Sequence, residues 1–140
     1  MYTIDEGQLT IPEQWKDETV NVLTSGTGKE PAFSLVITRD DIAEGMAFSD
    51  YVKMEVINIS SNLPEFKMLE EKSNYQINEQ PAHRIEFTWQ SSEGVLHQIV
   101  AMTAQQQKAL VFTASAPDAL TDEQKKQTDE MLQSFRFTSA

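Results

Sequence analysis

The sequence predicts one α+β domain in which antiparallel strands pack against two helices. Stretches in both halves of the chain alternate apolar and polar residues with the period of two that is typical of half-buried strands. The stretch from about residue 49 to residue 63 instead spaces its apolar residues as a helix does. A second helix is expected near the end, because Thr121-Asp122-Glu123-Gln124 matches a capping box. Helices segregated among antiparallel strands define the α+β class.

Three predicted strands precede the first helix. In the first, Leu9 and Ile11 alternate with polar residues until Pro12 ends the strand. The second covers residues 20–23, and Gly26-Thr27-Gly28 is expected to form a turn behind it. The third separates its side chains onto two faces of the sheet. One face carries Phe33, Leu35 and Ile37, and the other carries Ser34, Val36 and Thr38.

The first helix is predicted to begin with Ser49 as its N-cap and to end before Pro64. The helical period arranges its residues in two stripes. The core stripe contains Phe48, Val52, Val56, Ile59 and Leu63. The second stripe mixes apolar and polar side chains and contains Tyr51, Met54, Asn58 and Asn62.

Three further strands are predicted behind Pro81. In the first of them, His83, Ile85, Phe87 and Trp89 alternate with Arg84, Glu86, Thr88 and Gln90. This alternation predicts a half-buried antiparallel strand with its second set of residues in water. Residues 95–104 and 109–115 are expected to pair around a turn at residues 105–108. Glu70 and Glu71 are predicted to lie in a solvated turn.

Length, charge and cysteine content limit the function classes. The 140 residues fit one domain, residues 1–140, and the absence of cysteine excludes disulfides, thiolate metal sites and cysteine nucleophiles. The start lacks the basic and apolar regions of a signal peptide, and no apolar run approaches the ~20 residues that span a bilayer. We therefore expect a cytoplasmic protein that does not insert into membranes. Its net charge of −11 disfavours nucleic acid as a partner.

No pattern in the sequence indicates catalysis, a metal site or a cofactor. His83 and His97 are the two histidines, and they lie on different predicted strands without carboxylates at metal-ligand spacing. We expect His83 to be a partly buried structural residue. The stretch Gly26-Thr27-Gly28-Lys29-Glu30 lacks the spacing of a phosphate-binding loop, and a hairpin turn is the better interpretation.

Residues on two predicted strands form a candidate binding surface, because within each strand they alternate onto the same face. Val20 and Val22 share such a face, and Leu96, Gln98, Val100 and Met102 share another. An amide between aliphatic residues is costly when buried alone, but it can serve a partner that brings polar groups. The helix stripe with Met54 and Asn58 has the same mixed character, and these features together favour a groove that accepts an apolar helix. In the alternative interpretation, the protein's own helix covers this face and Gln98 is satisfied internally.

Several motifs resemble DcrB-like proteins, and especially the Eag subgroup, the chaperones associated with Rhs and related type VI secretion effectors. The resemblance begins at Tyr2-Thr3-Ile4-Asp5-Glu6-Gly7, Leu9-Thr10-Ile11-Pro12 and Trp15-Lys16-Asp17-Glu18-Thr19-Val20-Asn21-Val22. It continues at Leu63-Pro64-Glu65-Phe66, Gln80-Pro81-Ala82 and Met131-Leu132-Gln133-Ser134-Phe135-Arg136-Phe137. The order and spacing of these motifs extend the resemblance over nearly the whole chain.

The resemblance implies a Mog/PsbP-like fold, a curved antiparallel sheet with packed helices. It implies a cytoplasmic homodimer whose concave faces hold the N-terminal transmembrane helices of an effector and aid its loading onto the VgrG spike. By position, Val20, Val22, Val36 and Gln98 match groove-lining residues. Met54 and Asn58 lie near helix positions where the resemblance implies an amide and a small residue, so this chain departs from the pattern there.

Two alternatives to an effector chaperone stay open. The chain is then either a structural or regulatory domain of the same fold that binds a soluble protein, or a small-ligand binder or enzyme without a recognisable motif.

Overall fold

A six-stranded antiparallel sheet with a helix on each face forms the body of the protein. The computed structural model describes residues 1–25 and 33–138. Its elements are β1 (Tyr2–Ile4), β2 (Gly7–Leu9), β3 (Asn21–Thr24), β4 (Ser34–Asp41), α1 (Phe48–Asn62), β5 (Lys67–Ile77), β6 (Gln80–Ser91), β7 (Gly94–Gln105), β8 (Lys108–Pro117) and α2 (Asp122–Ser134). The large sheet has the order β3-β4-β8-β7-β6-β5, and β1 pairs with β2 in a separate hairpin. The predicted turn at Gly26-Thr27-Gly28 lies outside the described residues.

Each face of the sheet has its own apolar core. Under α2, Leu132 packs with residues such as Ile99 and Phe112. Under α1, Tyr51 and Val52 pack with another set of strand residues. That set contains Ile85, Phe87, Val100, Met102 and Ala109. The alternation of β4 is confirmed, because Phe33 and Leu35 join the α2 core while Ser34 and Val36 lie on the α1 side.

The strand β6 is buried on both faces, so the predicted half-buried strand is wrong. Every residue from Ala82 to Phe87 is buried, including Arg84 and Glu86. The two helices cover opposite faces of this central strand, and its charged residues pair with one another and with their neighbours instead of with water. The alternation of polar residues therefore predicted that Arg84 and Glu86 face water, whereas the structure buries them in a polar part of the core.

The prediction of a turn at Glu70 and Glu71 is also wrong, because both residues lie in the edge strand β5. This strand pairs with β6 along its length, interrupted by two irregularities. Few of its residues are apolar, so it lacks the alternation that marks a half-buried strand. A turn at Asn78 and Glu79, both with positive φ, joins it to β6.

The N-cap of α1 lies two residues earlier than predicted. It is Ala47, which makes no side-chain capping bond, and Ser49 lies inside the first turn. The expected N-cap role of Ser49 is therefore wrong. The core stripe is confirmed, because Val52 is buried and the other four predicted residues pack partly buried around it. Tyr51, predicted in the mixed stripe, is buried as well.

The helix α2 begins as the sequence predicts. Thr121 is its N-cap, and its hydroxyl accepts a hydrogen bond from the Gln124 backbone N–H at 3.1 Å. The Gln124 side chain accepts the Thr121 backbone N–H at 2.9 Å. Both halves of the capping box are thus present.

Candidate binding face of the sheet

Part of the sheet on the α1 side stays uncovered and forms a continuous face, here called the open face. Val22 pairs with Val36, Val36 with Thr113, and Thr113 with Val100. Residues in direct register project to the same side of a sheet, so this row leads from the edge strand to the core beneath α1. The open face consists of Val20, Val22, Thr24, Ser34, Val36, Gln98, Thr113 and Ser115.

The aliphatic end of the open face is strongly exposed. Val22 has 61% of its surface exposed and Val20 has 50%, while Val36 is half-buried. Val20 lies immediately before β3 and lines the same cleft as Thr38, which shares the open-face side of β4. Val20, Val22 and Val36 therefore lie together, as the sequence predicts, although their binding role stays a prediction.

A polar row runs beside the valines. Thr24 pairs with Ser34, Ser34 with Ser115, and Ser115 with Gln98. Trp89 donates its indole N–H to Gln98 Oε1 at 2.7 Å, and Gln98 Nε2 donates to Ser115 Oγ at 2.7 Å. Gln98 is thus satisfied internally, as one of the two interpretations expected. Since an amide has two N–H donors and two acceptor lone pairs, these bonds use half of its capacity and fix its orientation.

The flank of α1 borders the open face near the end of β4. Tyr51 donates its hydroxyl to Asp40 Oδ2 at 3.1 Å, and Asp40 lies on the same side of β4 as Val36. Burial raises the pKa of Tyr51, and the charges of Glu55 and Asp40 raise it further. Burial and the charge of Asp40 also raise the pKa of Glu55, against a hydrogen bond from Asn58. This border is therefore acidic and keeps the Tyr51 hydroxyl protonated.

Met54 and Asn58 are four residues apart in α1, so they lie on the same side of the helix, as their predicted stripe requires. Asn58 is exposed on the flank with Glu55, to which it hydrogen-bonds, and so lies at the border of the open face. Met54 is 43% exposed and follows the buried Val52 by two residues, so it lies beside Asn58 but farther from the side of α1 that packs on the sheet. A partner seated on the sheet reaches Met54 only if it also extends over α1.

Sequence reasoning missed Trp89 and Ser115 as parts of this face. Alternation grouped Trp89 with the apolar residues of its strand, and Ser115 stood at the end of a predicted strand. Their shared contact with Gln98 depends on the register of β6, β7 and β8, which brings residues 9 and 17 positions from Gln98 against its amide. Alternation fixes the face of each residue but leaves this register open.

The opposite face carries a buried network of charged groups under α2. Glu86 Oε2 lies 2.7 Å from His97 Nε2 and 3.1 Å from Lys125 Nζ. Arg84 Nη1 lies 2.9 Å from Glu70 Oε1, and Arg84 Nη2 lies 3.5 Å from Glu86 Oε1. Burial raises the pKa of Glu86, but the hydrogen bonds of His97 and Lys125 outweigh it and hold that pKa below its usual value. The network ties β5, β6, β7 and α2 together.

The predicted structural role of His83 agrees with its surroundings. The residue is 8% exposed, and its Nε2 lies 2.7 Å from Glu71 Oε2 on the neighbouring strand. Residues 1–25 and 33–138 contain no group of three or more His, Cys, Asp or Glu side chains that could hold a metal ion. Within the same residues, neither helix is long and apolar enough to cross a membrane.

The comparison with known families decides the classification, because residues 6–134 match the DcrB family. The chain belongs to the DcrB family. A protein of Pseudomonas aeruginosa strain PAO1 named Effector EagT6 is 32% identical over 93 residues, which are 64% of this chain. The chain spans 62% of the length of that relative. The resemblance to Eag-type members of the family is thereby confirmed.

Two solved structures share the fold of this DcrB family member. Protein PA94 of Pseudomonas aeruginosa, of unknown function, superposes with a TM-score of 0.81 at 23% identity, over 99% of this chain and 96% of its own. The Ran-binding protein Mog1p of Saccharomyces cerevisiae gives a TM-score of 0.51 at 13% identity, over 84% and 70%. The predicted α+β, Mog/PsbP-like fold is confirmed.

Proposed function

We propose that this DcrB family member is a cytoplasmic chaperone that binds and shields an N-terminal transmembrane helix of a type VI secretion effector. The shielded effector is then loaded onto the VgrG spike, and the protein acts by binding rather than by catalysis. The open face carries this proposal, because it combines exposed valines with an oriented amide beside α1.

The aliphatic residues of the open face supply the driving force for binding. A bound apolar helix would remove the exposed parts of Val20, Val22 and Val36 from water. Since complete burial of an exposed valine contributes about 1.5 kcal/mol or more, each of these residues contributes a fraction of that value. A flat or gently curved aliphatic surface accepts a helix without specific pockets. The net charge of −11 keeps such a surface soluble while it is empty.

The polar row of the open face supplies selectivity for a helix with small polar residues. Thr24, Ser34 and Ser115 present hydroxyls, and Gln98 retains one amide hydrogen and one lone pair. Transmembrane helices pack on each other through Ser, Thr and small residues that allow close backbone approach. A purely aliphatic soluble partner would leave the row unpaired at a cost.

The partner is also expected to be enclosed by two copies of the chain. One curved sheet covers one side of a helix, so a transmembrane segment of about 20 residues keeps its opposite side in water. A homodimer with two facing sheets covers most of that surface. The assembly we propose is therefore a homodimer around one or more effector helices.

Co-expression with a type VI effector that carries an apolar N-terminal segment tests the proposal. Val22→Glu is compared with Leu23→Glu on the same edge strand, because Leu23 is 55% exposed but lies on the other side of the sheet. We expect Val22→Glu to remain folded and to lose the effector from the soluble fraction, since the bound helix would desolvate the new charge. Leu23→Glu is expected to retain the effector.

Equal recovery of the effector with both variants would place the binding site elsewhere. If Val22→Glu abolishes binding of a soluble partner without any apolar segment, the chain is instead a protein-binding domain of the same fold.

A further inference from the structure

His97 sits at the point where β7 meets the start of α2, and both of its ring nitrogens are engaged. The residue is 5% exposed. The Leu120 backbone N–H donates to Nδ1 at 2.8 Å, while Nε2 lies 2.7 Å from Glu86 Oε2. A ring nitrogen that accepts a hydrogen bond cannot carry a proton. The proton of the neutral ring is therefore on Nε2, which donates to Glu86.

We propose that His97 is an acid-sensitive latch that holds the N-terminal end of α2 on the sheet. Protonation of the ring adds a hydrogen to Nδ1, which then faces the hydrogen of the Leu120 N–H. Two donors cannot share one hydrogen bond, so the contact between His97 and Leu120 breaks. The bond from Nε2 to Glu86 survives and becomes charge-assisted. Acid thus removes one of the two bonds selectively.

The charged groups around His97 come from two elements. β6 contributes Glu86, backed by Arg84, and α2 contributes Lys125, whose Nζ lies 3.1 Å from the same Glu86 oxygen. On β8, the residue that pairs with His97 is Ala116, and its side chain is uncharged. Beyond this shell, Arg84 contacts Glu70 of β5 and lies 3.8 Å from Asp129 of α2. The carboxylate of Glu86 keeps its hydrogen bond to the protonated ring. Protonation therefore breaks only the hydrogen bond between His97 and the Leu120 N–H.

Loss of the hydrogen bond at Leu120 affects α2 because of where this residue lies. Leu120 directly precedes Thr121, the N-cap of α2, and its own side chain is 5% exposed within the core under that helix. The loss of its N–H acceptor leaves a buried donor unpaired unless the chain moves. Movement at Leu120 loosens the first turn of α2. This latch stands on its own geometry and does not depend on the proposed function.

Hydrogen exchange and ring titration on the intact chain test the latch. Amide protection at residues 120–125 is measured by NMR from about pH 8 to about pH 4.5, the range in which histidines titrate. The same spectra follow the protonation of the His97 ring. We expect protection at Leu120, corrected for intrinsic exchange, to fall about tenfold or more together with ring protonation. Protection of the central β6 and β7 amides is expected to stay unchanged.

His97→Gln is the matched variant, because a glutamine amide can accept from Leu120 and donate to Glu86 without titrating. Its protection at residues 120–125 is expected to be independent of pH. His83→Gln, which changes the other histidine, is expected to keep the wild-type pH dependence. If His97→Gln does not fold, the ring nitrogen chemical shifts of the wild type still report the tautomer and the protonation of His97, which can be compared with the protection of Leu120.

Four results would overturn the latch. The first is a neutral His97 ring with its proton on Nδ1. The second is unchanged protection of Leu120 after the ring is protonated. The third is a ring that stays neutral over the whole folded range. The fourth is a pH-dependent loss of protection in His97→Gln that matches the wild type.

Discussion

Gln98 and Ser115 face each other across β7 and β8, and the amide Nε2 donates to the serine hydroxyl at 2.7 Å. The same amide accepts the Trp89 indole N–H at 2.7 Å. The open face therefore presents an amide whose orientation is already fixed when a partner arrives. Fixing a recognition group in advance lowers the entropic cost of binding.

Removal of this amide is predicted to weaken both folding and binding. Gln98→Ala leaves the Trp89 N–H without its acceptor on a half-buried surface, so we expect a loss of about 1–2 kcal/mol in unfolding free energy. The effector helix is expected to lose a further hydrogen bond, with an affinity decrease of about tenfold or more. Chemical denaturation and titration of the purified effector segment measure the two effects.

Ser115→Ala is the companion variant, because it removes the acceptor of Gln98 Nε2 but leaves the amide in place. We expect weaker effects on both measurements. If Gln98→Ala binds the segment as tightly as the wild type, the amide does not contribute to recognition.

Glu86→Gln is predicted to destabilise the protein most strongly near neutral pH. The folded-state pKa of Glu86 lies below its ordinary value of 4.5. Its carboxylate therefore stabilises the fold above that value, and this stabilisation is lost as the pH falls through the folded-state pKa. Removing the charge leaves the partly exposed Lys125 without its carboxylate partner and Arg84 with Glu70 as its close partner, so we expect a cost of about 1–3 kcal/mol at neutral pH.

Urea denaturation at a series of pH values measures this prediction. The difference in unfolding free energy between wild type and Glu86→Gln is expected to shrink as the pH falls through the lowered folded-state pKa of Glu86, because the wild-type carboxylate then also becomes neutral. Glu93→Gln in an exposed turn serves as the control, with little effect expected at any pH. A difference that grows on acidification would contradict the assignment of Glu86 as the stabilising carboxylate.

The capping box of α2 is predicted to contribute measurably to stability. Thr121→Ala removes the acceptor of the Gln124 N–H, and we expect a loss of about 1 kcal/mol in unfolding free energy. Ser49→Ala is the matched control, because Ser49 lies in the first turn of α1 without acting as its N-cap. Thermal denaturation should separate the two variants. Equal destabilisation would mean that the hydroxyl of Thr121 has no special role.

The homodimer is predicted from the need to enclose an apolar helix on more than one side. Multi-angle light scattering at micromolar concentration is expected to give twice the mass of one chain, with or without the effector segment. Val22→Glu tests whether the open face also supports association, since it alters that face alone. A monomeric mass under both conditions would exclude the enclosed arrangement.

Several features of the protein were determined by its sequence alone, because they depend on neighbours along the chain. The capping box at Thr121 needs Gln124 three residues later, so local order suffices to define it. The faces of β4 follow from alternation, and the core stripe of α1 follows from the helical period. The family motifs also lie in the linear order of residues, so they indicate the DcrB family without any knowledge of which strands pair.

Other features were decided only by the tertiary structure, because they join residues that are distant in the chain. Arg84 and Glu86 alternate like surface residues, yet α2 and the edge strand β5 bring Lys125 and Glu70 against them and make a buried network possible. The tautomer of His97 depends on Leu120, 23 residues away. Alternation states which side of a strand a residue occupies, whereas register and helix placement determine what it meets there.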